Sequence, residues 1–369
     1  MNTKRLAKVT CVLRRDLTPL LLYFFREVQL KEYQLTAVRR VALHEGRRGL
    51  GLIHGIRMVQ EAAQMISFLV DLEQEDQVID HVARQCELRV PGHGTVYSEQ
   101  VELISLREWE GQAIFPASDK NPLTRQAPLV GISCVVQRGE ANSVARVALD
   151  MGASVPYISF GHGMGLRDRL GILRVAIPAQ KEIIQLTVSP HDAETMMRLM
   201  IRAGELDRPG KGFIYLYPIR KGVIDTKITH GPARHVASME QIIATLDELK
   251  GDMGWRKRAH KELVPVDPSY LLVDLADIAV ICNEGTGQRL VKCAMRAGAG
   301  GATISLTKCL SASGSLPRGM SSAREICDTC VPYSRLEEVI GALEEGNVFG
   351  EEASGEILIR RAPKAYTYF

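Results

Sequence analysis

In the stretch "DRPGKGFIYLYPIRKG", residues 207 to 222, a lysine stands between two glycines, Gly210-Lys211-Gly212. Glycines let a backbone come close to a ligand, and a lysine between them suits an anion. The bland alternative is a tight turn with a solvated lysine. The turn recurs in "PGHGTVYSEQV" as Gly92-His93-Gly94, with a titratable and weaker cation. Gly161-His162-Gly163 places another histidine between glycines, where it would meet a phosphate, a metal or only water. Arg220 and Lys221 add positive charge just after the strand that begins at Gly212. Cys327 and Cys330 have the spacing of half a zinc site or a redox pair, yet no second such pair exists. They fall within a predicted strand, where residues i and i+3 face opposite sides, so a structural role is expected. No nucleophile elbow, Walker sequence or convincing pair of catalytic carboxylates is present, and neither catalysis nor a resident metal is expected.

These residues must be positioned by elements that repeat. "GEANSVARVALDMGASVPYIS" (139–159) aligns without a gap with "GTGQRLVKCAMRAGAGGATIS" (285–305). Val144, Val147 and Ala148 meet Leu290, Cys293 and Ala294, spaced as one face of a helix. A strand precedes each segment, and a strand, a helix and a last strand follow it. Each unit reads β-α-β-β-α-β, and the N-terminal part gives a weaker third copy. The expected organisation is residues 6–106, 128–228 and 271–369 as three domains, with 229–270 a linker holding a helix from Ser238 to Leu249. The fold class expected is α+β, with three ferredoxin-like split β-α-β domains in tandem. Their strands carry apolar residues on both faces, so the copies are expected to cover one another as an intrachain pseudo-trimer.

The totals limit the partners. A formal net charge of +3 with 24% charged residues gives no support for a nucleic-acid coat or a polybasic membrane binder. The apolar run Leu17 to Phe25, broken by Thr18 and Pro19, is too short to span a bilayer. The basic start is followed by no apolar signal core, and the eight cysteines lie scattered in apolar runs. A cytoplasmic protein that neither binds nucleic acid nor inserts in membranes is expected.

The second copy resembles the P-II family of nitrogen regulatory proteins, in its short-loop branch. "GASVPYISFGHGMG", "QKEIIQLTVS" and "LDRPGKGFIYLYPI" carry the resemblance, over most of residues 130 to 222. Family members are normally homotrimers that bind small ligands, usually adenine nucleotides, in clefts between subunits and act through a partner protein. The resemblance implies that Gly210, Lys211 and Gly212 match the family's phosphate-binding turn, and Gly92, His93 and Gly94 its counterpart in the first copy. Gly161 and Gly163, flanking His162, match the base of the family's loop. Arg220 and Lys221 match its basic residues after the last strand. The third copy, "EEASGEIL", keeps only Gly355 and surrounds it with carboxylates. No cofactor is required. The expected effector is ATP, ADP, AMP or a small anion, and its binding would order the loop from Gly161 to Ile177. An unidentified partner protein, in nitrogen or carbon metabolism, would then respond. Two other readings stay open: a ligand-free interaction protein with decayed sites, and an enzyme using the same cleft.

Overall fold

The computed structural model describes residues 2–48, 53–112, 115–116, 128–165, 179–226, 229–230, 249 and 265–368. The responsive loop beyond residue 165 and nearly all of the linker helix lie outside these residues.

The first repeat runs β1 (Asn2–Arg14), α1 (Thr18–Glu27), β2 (Tyr33–Arg48), β3 (Ile53–Val70), α2 (Glu75–Gln85) and β4 (Gly94–Ser105). The second runs β5 (Leu129–Gln137), α3 (Ala141–Asp150), β6 (Tyr157–Met164), β7 (Gln180–Val188), α4 (Ala193–Ala203) and β8 (Gly212–Ile219). Two short strands follow, β9 (Lys221–Val223) and β10 (Thr229–His230). The third repeat runs β11 (Leu271–Asn283), α5 (Gly287–Arg296), β12 (Ala302–Leu310), β13 (Ala323–Pro332), α6 (Leu336–Glu345) and β14 (Glu356–Thr367). The helical face read from the repeat is visible here. Val144, Ala148, Leu290 and Ala294 are buried, with Val147 and Cys293 at the margin.

Within each repeat the strand order is the same: β2-β3-β1-β4, β6-β7-β5-β8 and β12-β13-β11-β14. Such a unit has two free edges, its second and fourth strands, whose unpaired N–H and C=O groups need partners. Here edge meets edge. The fourth strand β14 pairs with both β4 and β8, and the second strands β2, β6 and β12 pair with one another. The result is one 14-stranded sheet in which ten strands close on themselves as an antiparallel β-barrel. This corrects the expected fold class. The chain is not a set of α+β ferredoxin-like domains grouped as a pseudo-trimer. It is a barrel, 45% sheet, with few helices. Apolar strand faces are visible in the sequence and free strand edges are not, and it is the edges that closure removes. Strand length contributes, since β2 and β3 have 16 and 18 residues and β2 reaches across to other repeats.

Helices cover the outside. Phe24, Phe25, Val78 and Val82 pack under α1 and α2. Val144, Leu149, Met196 and Met200 pack under α3 and α4, joined by Val41 and Leu43 of β2. Leu290, Val291, Val339 and Leu343 pack under α5 and α6. The inner faces of the strands are left to line a chamber.

Candidate functional site

The two glycine turns are built alike. Gly92 and Gly210 have φ of 92° and 72°, a left-handed conformation that glycine adopts without strain. A Cβ on Gly94 would lie 2.2 Å from the carbonyl oxygen of Val12, and one on Gly212 would lie 2.0 Å from that of Val135. The second glycine of each turn is therefore required by the neighbouring strand's backbone, whether or not a ligand binds.

Their polar groups are engaged differently. Gly92 N–H donates to Asp225, and its carbonyl accepts from the buried guanidinium of Arg40 at 2.6 Å. The His93 ring meets the Cys86 carbonyl at 3.2 Å, Nδ1 to oxygen. The Lys211 ammonium lies 2.7 Å from Glu140, at the start of α3, and 3.2 Å from Glu205, just past α4. The hydrogen bond to Glu140 raises the Lys211 pKa, with Glu205 adding to it. Gln137 Nε2 donates to the Gly210 carbonyl at 3.2 Å, and Lys181 Nζ does so at 3.4 Å.

Gly161, His162 and Gly163 lie inside β6, between β7 and β12. A Cβ on Gly161 would sit 2.6 Å from Thr303 Cγ2, so glycine lets β12 approach. Gly163 N–H donates to the Ala179 carbonyl at 2.7 Å, and His162 is exposed. Arg220 Nε donates to Glu75 at 2.9 Å and Lys221 Nζ to Asp76 at 2.6 Å, which ties the end of the second repeat to the start of α2.

Gly163, Gly210 and Gly212 come together, with Lys181, on the wall of the barrel's interior chamber, whose volume is about 1030 Å³. Gly92, His93, Gly94, Gly161, His162, Lys211, Arg220 and Lys221 are not on that wall. The chamber also holds charges that motif reading did not connect. Arg360 Nε donates to Asp277 at 2.6 Å and Nη1 to Glu99, while the guanidinium carbon stands 3.7 Å from the Tyr217 ring centroid. Asp277 and Glu99 are almost wholly buried. Asp328 also faces the chamber. Burial and then the Asp277 carboxylate raise its pKa to about 7, against the opposing charges of Lys8 and Arg360. Cys327 packs in the third core while Cys330 faces the chamber, so strand geometry separates the two thiols. Among the described residues, no group of three or more His, Cys, Asp or Glu side chains is placed to hold a metal ion.

One signal could have found these residues. In β1, Lys8 and Thr10 alternate with the apolar Ala7, Val9 and Cys11, the mark of a second, hydrated face. Among the described residues, no helix is long and apolar enough to cross a membrane.

No family model matches the sequence. No curated protein matches it. Among solved structures, the B. subtilis GlnK–ATP complex is similar over 27% of this chain and 88% of that one, at 18% identity and a TM-score of 0.23. This is a weak and partial likeness to a P-II protein, and at that score it fixes neither the fold nor the activity of this chain.

Proposed function

We propose that the chain is a ligand-binding regulator. It takes a small molecule into the barrel chamber and signals occupancy to a partner protein in the cytoplasm. The observation that carries this reading is the convergence of Gly163, Lys181, Gly210 and Gly212 on one chamber of about 1030 Å³. A cavity of that size accepts a nucleotide-sized molecule. The ligand on this reading is ATP, ADP, AMP or a small anion, met by backbone N–H groups of the turn and by a lysine. That lysine is Lys181, since Lys211 lies off the chamber wall and is paired with Glu140 and Glu205. The reading needs no catalytic step.

That carboxylate pairing, with the close backbone approach at Gly94 and Gly212, favours a second reading in which the turns are only structural. Thermal melting with each nucleotide, phosphate and bicarbonate separates the two. A ligand at a hundredfold excess over its Kd stabilises the native state by about 2.7 kcal/mol, and melting temperature rises accordingly. Lys181→Ala should weaken an anion bound in the chamber by about 1–3 kcal/mol in titration calorimetry. If no nucleotide or anion shifts the melt, the nucleotide-sensing reading fails and the structural reading of the turns stands.

A further inference from the structure

The charges inside the chamber do not all find partners. Lys31 pairs with Glu110, Arg107 with Glu32 and Glu356, and Arg360 with Asp277 and Glu99. Lys181 reaches the Gly210 carbonyl, and Glu108 is exposed. Lys8 and Asp328 remain. Lys8 lies on β1 opposite Glu99, whose carboxylate Arg360 already holds. Asp328 lies on β13 between Ala279 of β11 and Thr303 of β12, neither of which carries a charge. Neither Lys8 nor Asp328 makes an ion pair among the described residues. They are nevertheless near enough that the lysine's charge acts on the carboxylate.

Beside these two ions stand polar side chains with unused capacity. Thr10 Oγ1, Gln34 Oε1 and Ser305 Oγ have no hydrogen-bond partner among the described residues. Their residues are 2%, 9% and 7% exposed, and all three line the chamber. Thr10 is two residues from Lys8 on the same face of β1. Ser305 is two residues from Thr303, the residue opposite Asp328. Buried polar atoms without partners are rare in folded chains, and in a cavity wall they mark where a ligand or ordered water belongs.

A separated cation and anion that share one cavity are complementary to a molecule with the reverse arrangement. A simple anion would satisfy Lys8 and leave Asp328 unpaired. A simple amine would do the opposite. We infer that the chamber binds a zwitterion, a molecule carrying both a carboxylate and a protonated amine. Its carboxylate lies against Lys8 and its ammonium against Asp328, with Thr10, Gln34 and Ser305 hydrogen-bonding between them. The inference rests on the chamber being a ligand site and is independent of whether a nucleotide also binds.

Titration calorimetry on the full chain at pH 8 tests it. The probes are the common amino acids and dialanine, with spermidine as an amine alone, succinate as carboxylates alone, and ATP. The expected result is binding by at least one zwitterion and none by spermidine or succinate. Lys8→Met and Asp328→Asn should each weaken that binding tenfold or more while the variants keep a cooperative melt. Binding by ATP with none by any zwitterion would overturn the inference and leave the nucleotide reading standing. Zwitterion binding without ATP binding would do the reverse. Undiminished zwitterion binding in both variants would place the site elsewhere and overturn it too, and silence from every probe would count against both readings.

Discussion

Arg40 and Asp225 lie 185 residues apart and form an ion pair in which each side chain is only 2% exposed. Arg40 extends from β2, and Asp225 lies just after β9. Asp225 also accepts from Gly92 N–H, and its own N–H donates to Thr95 Oγ1 at 2.9 Å. The pair thus clamps the first glycine turn to the end of the second repeat. Arg40→Met would leave Asp225 as a buried charge without its cation. Removing one member of such a pair costs about 3–5 kcal/mol. Urea denaturation should show a loss of that size for Arg40→Met. The double variant Arg40→Met/Asp225→Leu should recover part of it, because no charge is then stranded.

Gly94 and Gly212 offer a test that separates backbone packing from ligand contact. The carbonyls of Val12 and Val135 occupy the places where their side chains would go. Both carbonyls belong to strands held in the sheet and cannot swing aside. Gly94→Ala and Gly212→Ala should each lower stability by about 1–3 kcal/mol, the usual cost of overpacking. The loss should appear without any ligand. If Gly212→Ala melts like the parent and only loses ligand affinity, the packing explanation is wrong.

The repeat was legible because helix faces and turn glycines leave fixed spacings. Val144 and Leu290 occupy matching places on α3 and α5, and Gly92 and Gly210 open equivalent turns. The barrel was not legible. Which edge joins which depends on contacts such as Leu216 with Lys364 or Lys308 with Leu35, between residues far apart in the chain and of no distinctive type. The site was legible in part. Gly163, Gly210 and Gly212 lie on one chamber wall, whereas Arg220 and Lys221, expected as anion ligands, lie against Glu75 and Asp76. Glu99, Asp277 and Asp328 come from three strands, and no local motif could bring them together.

Arg360 holds two of those carboxylates at once. Its guanidinium bridges Glu99 and Asp277 and lies over Tyr217. Arg360→Met would leave two buried carboxylates facing each other, and a loss of about 3–5 kcal/mol is expected in chemical denaturation. Arg360→Lys keeps the charge but not the planar fork that reaches both partners, so its loss should be intermediate. Equal losses in the two variants would mean that the bridging geometry contributes nothing.

Asp328 should make the protein less stable as pH rises. Its pKa is near 3.9 in an unfolded chain and is raised to about 7 in the barrel, first by burial and then by Asp277. Between those values the folded chain holds a proton that the unfolded chain has released. Stability must therefore fall as pH climbs from about 4 to about 7, and level off above that. Lys8 and Arg360 oppose this effect, while Glu99 and Asp277 reinforce it. Asparagine mimics the protonated acid, so Asp328→Asn should match the parent near pH 4 and exceed it at pH 8. One pKa unit corresponds to about 1.4 kcal/mol, and with screening by water in the chamber the gain at pH 8 should be about 1–3 kcal/mol. Thermal or urea melts of both proteins at the two pH values decide it. A variant that is less stable than the parent at pH 8 would mean that Asp328 is held by Lys8 as an ordinary ion pair. In that case nothing is left over in the chamber for a ligand's ammonium to meet.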